Sequence, residues 1–306
     1  MAFRLRESDC RTLEHLADYR ILTMSQLAAI GQKTKPTVRK RVRDLKKEEL
    51  VKVACNESGQ NFGRPESLLA LTEQAVEILK EKNLITKDML YKHVGPISPR
   101  LIDHQLLLNW FRIHLGQIER RLPQLSVRFL AYNSPLVPHG SDGRVITTDS
   151  SPIGRRTIRE VRFTPDAVFA ITNAVDSKTL LFFLEVDCGT ETLSSPQRDM
   201  KDIRQKILNY QWYFQSLKYK RYERIFETSR LHGFRLLFLS KTIGRLAALC
   251  RLTQEMQPSN FIWLTEQGRM FHEGVSGKIW ARGGNLQILQ RSILGRLCCK
   301  APLPSL

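Results

Sequence analysis

Residues 23–47, TMSQLAAIGQKTKPTVRKRVRDLKK, contain the pattern that decides the fold of the N-terminal part of the chain. Thr23 and Gln26 have the spacing of a capping box, in which each side chain accepts a hydrogen bond from the backbone of the other residue. Gly31 is expected to end that helix in a left-handed conformation. Thr34 then has the position of a cap for the next helix. The stretch therefore predicts two helices joined by a tight turn.

The second of these helices combines an apolar stripe with a basic face. Val38, Val42 and Leu45 fall at positions i, i+4 and i+7, so they lie on one side of the helix and are expected to pack against other helices. Arginine and lysine cover most of the remaining surface. This helix is therefore expected to face a partner with its basic side.

The flanking segments complete a winged helix-turn-helix. Ser8 is expected to cap a first helix, and two strands are predicted at 50–55 and 67–71 around a polar loop, 56–66. Helices followed by a β-wing predict a winged helix-turn-helix domain over residues 1–95, whose third helix would enter the major groove of DNA while the wing follows the backbone. The residues predicted to contact DNA are Lys35, Arg39, Lys40, Arg43, Lys46 and Arg64.

The charge of the whole chain favours a nucleic-acid partner. The 306 residues include 48 Lys and Arg against 30 Asp and Glu, which gives a formal net charge of +18. A chain this basic is expected to bind a polyanion, and we predict double-stranded DNA. The residues alone leave two other interpretations open, a basic helix that is merely solvated and a winged helix that binds protein.

Composition also excludes several classes of protein. A hydrophobic content of 42% with 25% charged residues is typical of folded domains, and the length suits two of them. The chain has no apolar run near the roughly 20 residues needed to cross a bilayer, so no membrane association is expected. The N-terminus lacks the apolar core of a secretory signal, which predicts a cytoplasmic protein. If it binds DNA as expected, it would be associated with the nucleoid or with a plasmid. The six cysteines have no metal-binding or disulfide spacing.

A second domain is predicted from Gly95-Pro96 onward, over residues 96–306. The segment 101–115 is apolar nearly all round, which predicts a buried core helix. His104 and Asn109 interrupt it. They are either core polar groups with satisfied hydrogen bonds or groups that point toward a site.

The rest of this domain alternates between predicted strands and helices. The order predicts an α/β sandwich around a mixed sheet, in which the continuous apolar run 179–186 is a central strand buried on both faces. The strands are predicted at 126–133, at 159–172 with a bend at Thr164-Pro165, and at 179–186, 234–240 and 260–264; the helices are predicted from Ser195 to 217, at 246–252 and at 286–297; a polar loop is predicted at 134–158.

Acidic residues on the central strands give the strongest chemical signal. Asp166 opens one predicted strand, while Glu185 and Asp187 close the next and point to the same face because they are two residues apart. A carboxylate within an apolar strand is costly unless it is paired or bound to a cation. If the two strands are neighbours, Asp166 and Glu185 can converge on one divalent cation such as Mg²⁺ or Mn²⁺.

A positive charge is expected beside these carboxylates. Lys206 lies on the following predicted helix, one turn before Tyr210 on the same side. It could stabilise the attacking water or the scissile phosphate of a phosphodiester, while the cation activates water. The catalytic residues predicted on this basis are Asp166, Glu185, Asp187 and Lys206, with Asp166 and Glu185 as the metal ligands.

The arrangement resembles the PD-(D/E)XK nuclease superfamily, in which a core helix precedes a Pro-Asp strand and a strand with an acid-x-Lys motif. Asp187 occupies the position of that lysine here, so Lys206 would have to replace it. The chain more closely resembles the replication-relaxation family of plasmids, over about residues 8–245. The resemblance rests on His104 and Asn109 and on the segments PDAVFAI (165–171), FFLEVDCGTET (182–192) and KILNY (206–210).

The resemblance implies a winged helix joined to a restriction-endonuclease-like core that handles DNA on mobile elements. One hypothesis is a Mg²⁺- or Mn²⁺-dependent endonuclease, supported around its site by His104, Asn109, Glu191 and Tyr210. The other is a non-catalytic replication, relaxosome or regulatory factor with a degenerate nuclease fold and no cofactor. A relaxase, a replication protein or a transposition protein is the expected protein partner, and the sequence is compatible with a dimer.

Overall fold

The computed structural model describes residues 4–56, 66–153, 159–194, 202–228, 230–288, 290–300 and 303. These residues form two compact units. The first contains the described chain up to Ile113 together with Asn133–Val137, and the second contains His114–Tyr132 and the described chain from Pro138 onward. None of the helices within the described residues is long and apolar enough to cross a membrane.

The first unit has the predicted winged helix-turn-helix architecture. Its strands β1 and β2 pair antiparallel, and Leu22 forms an additional backbone bridge to Leu69 of the second strand. The stripe of Val38, Val42 and Leu45 is buried, as predicted. In chain order the elements are α1 (Glu7–Tyr19), α2 (Met24–Gly31), α3 (Lys35–Lys47), β1 (Val51–Asn56), β2 (Ser67–Leu71), α4 (Glu73–Glu81) and α5 (Tyr91–Val94), followed by a 3₁₀ turn (Pro99–Leu101) and α6 (Ile102–Leu115).

Helix ends in this unit confirm one prediction and correct two. The capping box is present, with the Gln26 N–H donating to Thr23 Oγ1 at 3.1 Å and the Thr23 N–H donating to Gln26 Oε1 at 3.1 Å. Helix α1 begins one residue before Ser8, because the Asp9 carboxylate accepts from the Arg6 N–H at 2.7 Å and fixes the first turn there. Gly31 is still helical, and Gln32 adopts the left-handed conformation with φ +50°.

The division between the units differs from the boundary expected at Gly95-Pro96. Helix α6 belongs mainly to the first unit, because Ile102 and Leu106 pack against Ile21, Leu68 and Ala70. The sequence pattern shows that this helix is buried. It does not show which core buries it.

The second unit is built on a mixed sheet of six strands. Strand order is β10-β9-β8-β7-β6-β3, with β7-β8 and β8-β9 parallel and the other pairs antiparallel. A separate hairpin pairs β4 with β5. The strands are β3 (Leu125–Ala131), β4 (Asp149–Ile153), β5 (Arg159–Phe163), β6 (Ala167–Asn173), β7 (Lys178–Asp187), β8 (Phe234–Ser240), β9 (Ile262–Glu266) and β10 (Ala281–Arg282).

Helices connect the parallel strands, as expected for this type of sheet. Aromatic and aliphatic side chains of α8 and α10 bury one face of the sheet, and Phe182, Phe183 and Leu184 of β7 are completely buried, which confirms the predicted central strand. The helices are α7 (Gln117–Arg121), α8 (Ile203–Gln215), α9 (Tyr222–Ile225), α10 (Ile243–Glu255) and α11 (Gln267–Glu273), with 3₁₀ turns at Lys218–Arg221 and Gly295–Leu297.

Three details of the second unit differ from the sequence-based expectation. The single bent strand predicted over 159–172 is two strands in different sheets, β5 and β6, separated at Thr164-Pro165. The predicted loop 134–158 contains strand β4. The described residues of 286–297 form no α-helix, because Arg291 instead pairs with Trp280 through two backbone hydrogen bonds of 2.9 and 3.0 Å. Helix α8 is capped by Asp202, and the expected start at Ser195 lies outside the described residues.

Candidate functional site

Glu185 lies at the centre of the charged cluster near the end of β7. Its side chain faces helix α8, whose Lys206 and Tyr210 are one turn apart and therefore project to the same side. The Tyr210 hydroxyl donates to Oε1 at 2.5 Å, and the Lys206 ammonium donates to Oε2 at 2.9 Å. Glu185 is only 3% exposed. Both of its oxygens thus have a partner inside the protein.

Burial and neighbouring charges shift the protonation of this pair in characteristic directions. Burial raises the pKa of Glu185 to about 7; the Lys206 charge acts against this increase, and the Asp166 charge adds to it. Burial disfavours the charged form of Lys206, but the carboxylates of Glu185, Asp166 and Glu191 together raise its pKa above the usual value. Lys206 therefore remains an ammonium ion that neutralises the cluster.

Asp166 and Glu191 complete this cluster. Asp166 precedes β6, which is the antiparallel neighbour of β7, and its Oδ2 accepts from the Val186 N–H at 2.7 Å. Glu191 lies beyond the end of β7 and contacts the Lys206 ammonium through Oε2 at 3.0 Å. The fold thus brings together Asp166, Glu185, Glu191, Lys206 and Tyr210, which the sequence placed on separate segments.

Asp187 makes a different set of contacts from Glu185. Its Oδ2 accepts from Arg245 Nε at 2.8 Å, and its Oδ1 accepts from the Gly189 N–H at 2.7 Å. Arg245 also donates to the Glu191 carbonyl at 2.6 Å, so it holds the chain that follows β7. Sequence reasoning missed Arg245, because no local pattern connects helix α10 with a carboxylate 58 residues earlier in the chain.

The carboxylate oxygens at this site are suitable ligands for a hard cation, but only two side chains provide them. Asp166 and Glu185 offer carboxylate oxygens, and Mg²⁺ is commonly held by one or two carboxylates together with substrate phosphates and water. No group of three or more His, Cys, Asp or Glu side chains that could hold a metal occurs among the described residues. A cation here would therefore need phosphate or water ligands in addition to these two side chains.

The basic face of α3 is the second candidate site. Arg39, Lys40, Arg43 and Lys46 are exposed, and within the described part of the chain none of the four makes an ion pair. Their positions lie off the buried stripe of the same helix. These four side chains are free to contact a polyanion.

Two residues predicted to contact DNA, Lys35 and Arg64, are not part of this exposed face. Lys35 is half-buried with its ammonium 3.6 Å from Glu66. Glu66 also accepts from Ser25 Oγ at 2.5 Å and from the Ser25 N–H at 3.2 Å; burial acts to raise the pKa of this carboxyl, but these hydrogen bonds lower it overall. Glu66 therefore ties the start of β2 to the first turn of α2. Arg64 lies outside the described residues.

Arg41 shows how a basic residue of α3 can serve the fold instead. Its guanidinium pairs with Asp9 of α1, a carboxylate that is completely buried, and lies 3.4 Å from Asp44. Burial acts to raise the pKa of Asp9, but the hydrogen bonds from Arg41 and Arg6 lower it overall. Arg41 was not among the residues predicted to contact DNA, and the structure gives it a partner inside the unit.

His104 and Asn109 both lie on α6, in the part that belongs to the first unit. Asn109 is buried and donates to the Ile21 carbonyl at 2.7 Å, while its Oδ1 accepts from Gln105 Nε2 at 2.8 Å. These bonds account for its burial within the winged-helix unit. His104 is half-buried.

A second buried carboxylate, Asp149 of β4, was missed by sequence reasoning. Tyr213 and Tyr222 each donate a hydroxyl hydrogen bond of 2.8 Å to it, and Arg221 Nε lies 3.1 Å away. Burial raises the pKa of Asp149 to about 6, although Arg221 acts against this increase. All three partners lie more than 60 residues later in the chain, so no local spacing indicated them.

Comparison with known proteins gives one family match, which spans both candidate sites. The family model described as replication-relaxation matches residues 13–228, which include α3, Asp166, Glu185 and Lys206. A search of the curated proteins found no match. A solved structure of a MarR family transcriptional regulator from Silicibacter pomeroyi DSS is 24% identical over 37% of this chain and 70% of that chain, with a TM-score of 0.22 that supports no further argument. Since the family model covers more than half of the chain, the chain belongs to the replication-relaxation family.

Proposed function

We propose that this protein binds double-stranded DNA through helix α3, in the replication or mobilisation of a mobile element. The observation that carries the proposal is the set of four exposed cations on α3, Arg39, Lys40, Arg43 and Lys46, without ion-pair partners in the described chain. Arg41 lies on the same helix, but its guanidinium is paired with Asp9. A winged helix presents its third helix to the major groove, where such side chains reach phosphates and base edges.

The experiment compares two double variants that remove the same charge. Arg39→Ala with Arg43→Ala should raise the dissociation constant for duplex DNA about tenfold and lower the salt slope by about 0.9 per lost contact. Lys82→Ala with Lys87→Ala is the matched control, since both lysines are exposed in the same unit but lie outside α3. Equal affinities of the two variants, measured by fluorescence anisotropy at low salt, would contradict the proposal.

A second candidate function is hydrolysis of a DNA phosphodiester at the Glu185 cluster. The observation that favours it is the convergence of Asp166, Glu185 and Lys206, since two carboxylates can hold a divalent cation and an ammonium can stabilise an anionic substrate. Asp166 and Glu185 would hold Mg²⁺ or Mn²⁺, which supplies an activated water and charge stabilisation when bound. The Lys206 ammonium would move from Glu185 to the phosphate and stabilise its charge. Glu191 would keep this ammonium near the site, and Tyr210 would keep the Glu185 carboxylate in position.

A non-catalytic role is the alternative for the same cluster. It is favoured by the hydrogen bonds of Glu185, whose two oxygens are already occupied by Tyr210 and Lys206, and by the Arg245 contact that engages Asp187. In that case the second unit is a degenerate nuclease fold. The second unit would then bind DNA, or it would assemble with a relaxase, a replication protein or a transposition protein.

Metal response and cleavage distinguish these two roles. If Asp166 and Glu185 ligate a cation, Mg²⁺ or Mn²⁺ should raise the Tm of the wild type, and Glu185→Gln should reduce that increase. Incubation with supercoiled and linear DNA should give metal-dependent nicking that Asp166→Asn, Glu185→Gln and Lys206→Gln each abolish while duplex affinity stays within twofold. Wild-type protein that neither responds to metal nor cuts DNA would support the non-catalytic role, and cleavage that survives Asp166→Asn would exclude this site.

A further inference from the structure

Two cavities of the second unit share lining residues, and one of them lies near the N-terminal ends of β7 and β8. One has a volume of about 650 Å³ and is lined by the start of β7, the segment before β8 and the aromatic rings of Phe214 and Phe261. The other, about 760 Å³, lies between α10 and the segment that follows β10. Asn260 and Arg282 line both cavities. Because they share these two residues, we call the two cavities together the basic groove.

The charge of the basic groove has one sign. Among the described residues that line it there is no Asp or Glu, and none of its cationic side chains makes an ion pair within the described chain. Unlike Lys206 beside Glu185, they have no carboxylate of the described chain to neutralise them. The cationic side chains are Lys178, Arg230, Arg235, Arg251, Arg282 and Arg291, and His232 adds a titratable group.

Arg235 shows that this charge is not simply spread over open surface. Its guanidinium stacks over the Trp263 ring at 4.6 Å, and the side chain is half-buried. Burial lowers the pKa of Arg235, and repulsion from the Arg282 charge lowers it further. Two arginines that repel each other at the mouth of a cavity gain energy when an anion lies between them. The arrangement therefore favours a phosphate.

The remaining lining suits nucleobases as well as phosphates. Phe214 and Phe261 are half-buried and line the first cavity, where a base could stack on an aromatic ring. The amide side chain of Asn260 lines both cavities and can donate or accept hydrogen bonds at a base edge. The amides of Gln254 and Gln257, which also line the second cavity, donate to the backbone carbonyls of Gly284 and Gln254 at 2.8 and 3.1 Å. Bases in a duplex are already stacked and paired, so a concave groove with aromatic walls selects a strand whose bases are free.

The geometry points to the basic groove as a binding site for single-stranded DNA, with phosphates held between Arg230, Arg235 and Arg282 and bases inserted into the two cavities. The site is separate from the Glu185 cluster. Strand β7 begins in the groove at Lys178 and ends at Asp187, and nine residues of extended chain span roughly 30 Å. It is also separate from α3, which carries the duplex binding proposed above, so the protein would bind duplex and single strand through different units.

Anisotropy with a fluorescein-labelled 20-mer of thymidylate and a duplex of equal length tests the groove. Arg230→Gln with Arg282→Gln changes two exposed residues, so folding should persist, and it should raise the dissociation constant for the single strand about tenfold and lower the salt slope by about 0.7 per contact. Lys278→Gln with Arg296→Gln is the control of equal charge loss, because both residues are exposed in the same unit outside the groove. Duplex affinity should change less than twofold.

The outcomes that overturn the inference are specific. The first is a wild type that does not bind the single strand, and the second is a control variant that loses as much affinity as the groove variant. The third is displacement of the oligonucleotide by inorganic polyphosphate as effectively, per phosphate, as by DNA, which would make the groove a bare anion surface. Arg39→Ala with Arg43→Ala should leave single-strand affinity intact while it weakens duplex binding. If Arg39→Ala with Arg43→Ala weakens the binding of both duplex and single strand, and the groove variant weakens neither, single-strand binding belongs to α3 instead.

Discussion

Helix α3 and the end of strand β7 both concentrate charge, but they use it in opposite ways. On α3, four cations are exposed and have no ion-pair partner in the described chain. At the end of β7, Glu185 is buried between Tyr210 and Lys206, and Asp187 is bound to Arg245. Exposed charges without partners contribute little to stability and are available to a ligand, whereas buried charges must be paired before the protein can fold.

The exposed cations of α3 are therefore available for binding a partner, whereas the buried charges at the end of β7 stabilise the fold. A substitution on α3 should alter binding and leave stability nearly unchanged. A substitution at the end of β7 should alter stability first, because a buried group loses its partner. The following predictions test that contrast, from the largest expected effect to the smallest.

Glu185→Ala should lower the free energy of unfolding by about 3 kcal/mol, because the buried Tyr210 hydroxyl loses its acceptor and the Lys206 ammonium loses its buried partner. Lys206 would keep only Glu191 and the more distant Asp166, and the buried Tyr210 hydroxyl would lose its acceptor. Urea unfolding at pH 8 measures the change. Glu185→Gln, which still offers Tyr210 an oxygen, should cost less; a loss below about 1 kcal/mol for the alanine variant would mean that the cluster does not stabilise the fold.

Asp149→Asn should remove a pH dependence of stability. Because the folded pKa of Asp149, about 6, lies above the model-peptide value of 3.8, its contribution is fully present below pH 3.8 and is lost as pH rises through 6. The difference in unfolding free energy between wild type and variant should therefore fall by roughly 2.4 kcal/mol between pH 4 and pH 7. Urea unfolding at one-unit pH intervals measures it, and parallel curves for the two proteins would contradict the assignment.

Arg41→Ala and Arg43→Ala compare the two kinds of charge within one helix. Arg41→Ala should destabilise the protein by roughly 2 kcal/mol, because buried Asp9 loses its charged hydrogen-bond donor. Arg43→Ala should stay within about 0.5 kcal/mol, as is usual for exposed residues without partners. Thermal unfolding followed by circular dichroism measures both. Equal losses would show that Arg43 also has a structural role.

Local sequence patterns predicted most of the fold because their physical causes are local. The capping box of Thr23 and Gln26, the stripe of α3 and the continuous apolar run of β7 each depend on neighbours within a few residues. The same reasoning failed at 286–297. Apolar residues recur there at helical spacing, but the backbone of Arg291 pairs with that of Trp280 instead of forming a helix. That the strands of Asp166 and Glu185 are neighbours was only a condition of the sequence argument, and the structure meets it because β6 and β7 are consecutive strands that pair antiparallel.

By itself, the sequence determined most of the helices and strands, the basic surface of α3 and the presence of carboxylates on the central strands. Tertiary structure decided which charges are neutralised, since Asp9 meets Arg41, Asp187 meets Arg245 and Asp149 meets two tyrosines across long separations along the chain. It also decided that Arg235 and Arg282 have no such partner in the described chain and lie together beside a cavity. Periodicity and capping act over one or two turns, whereas pairing of charges depends on which distant segments the folded core brings into contact.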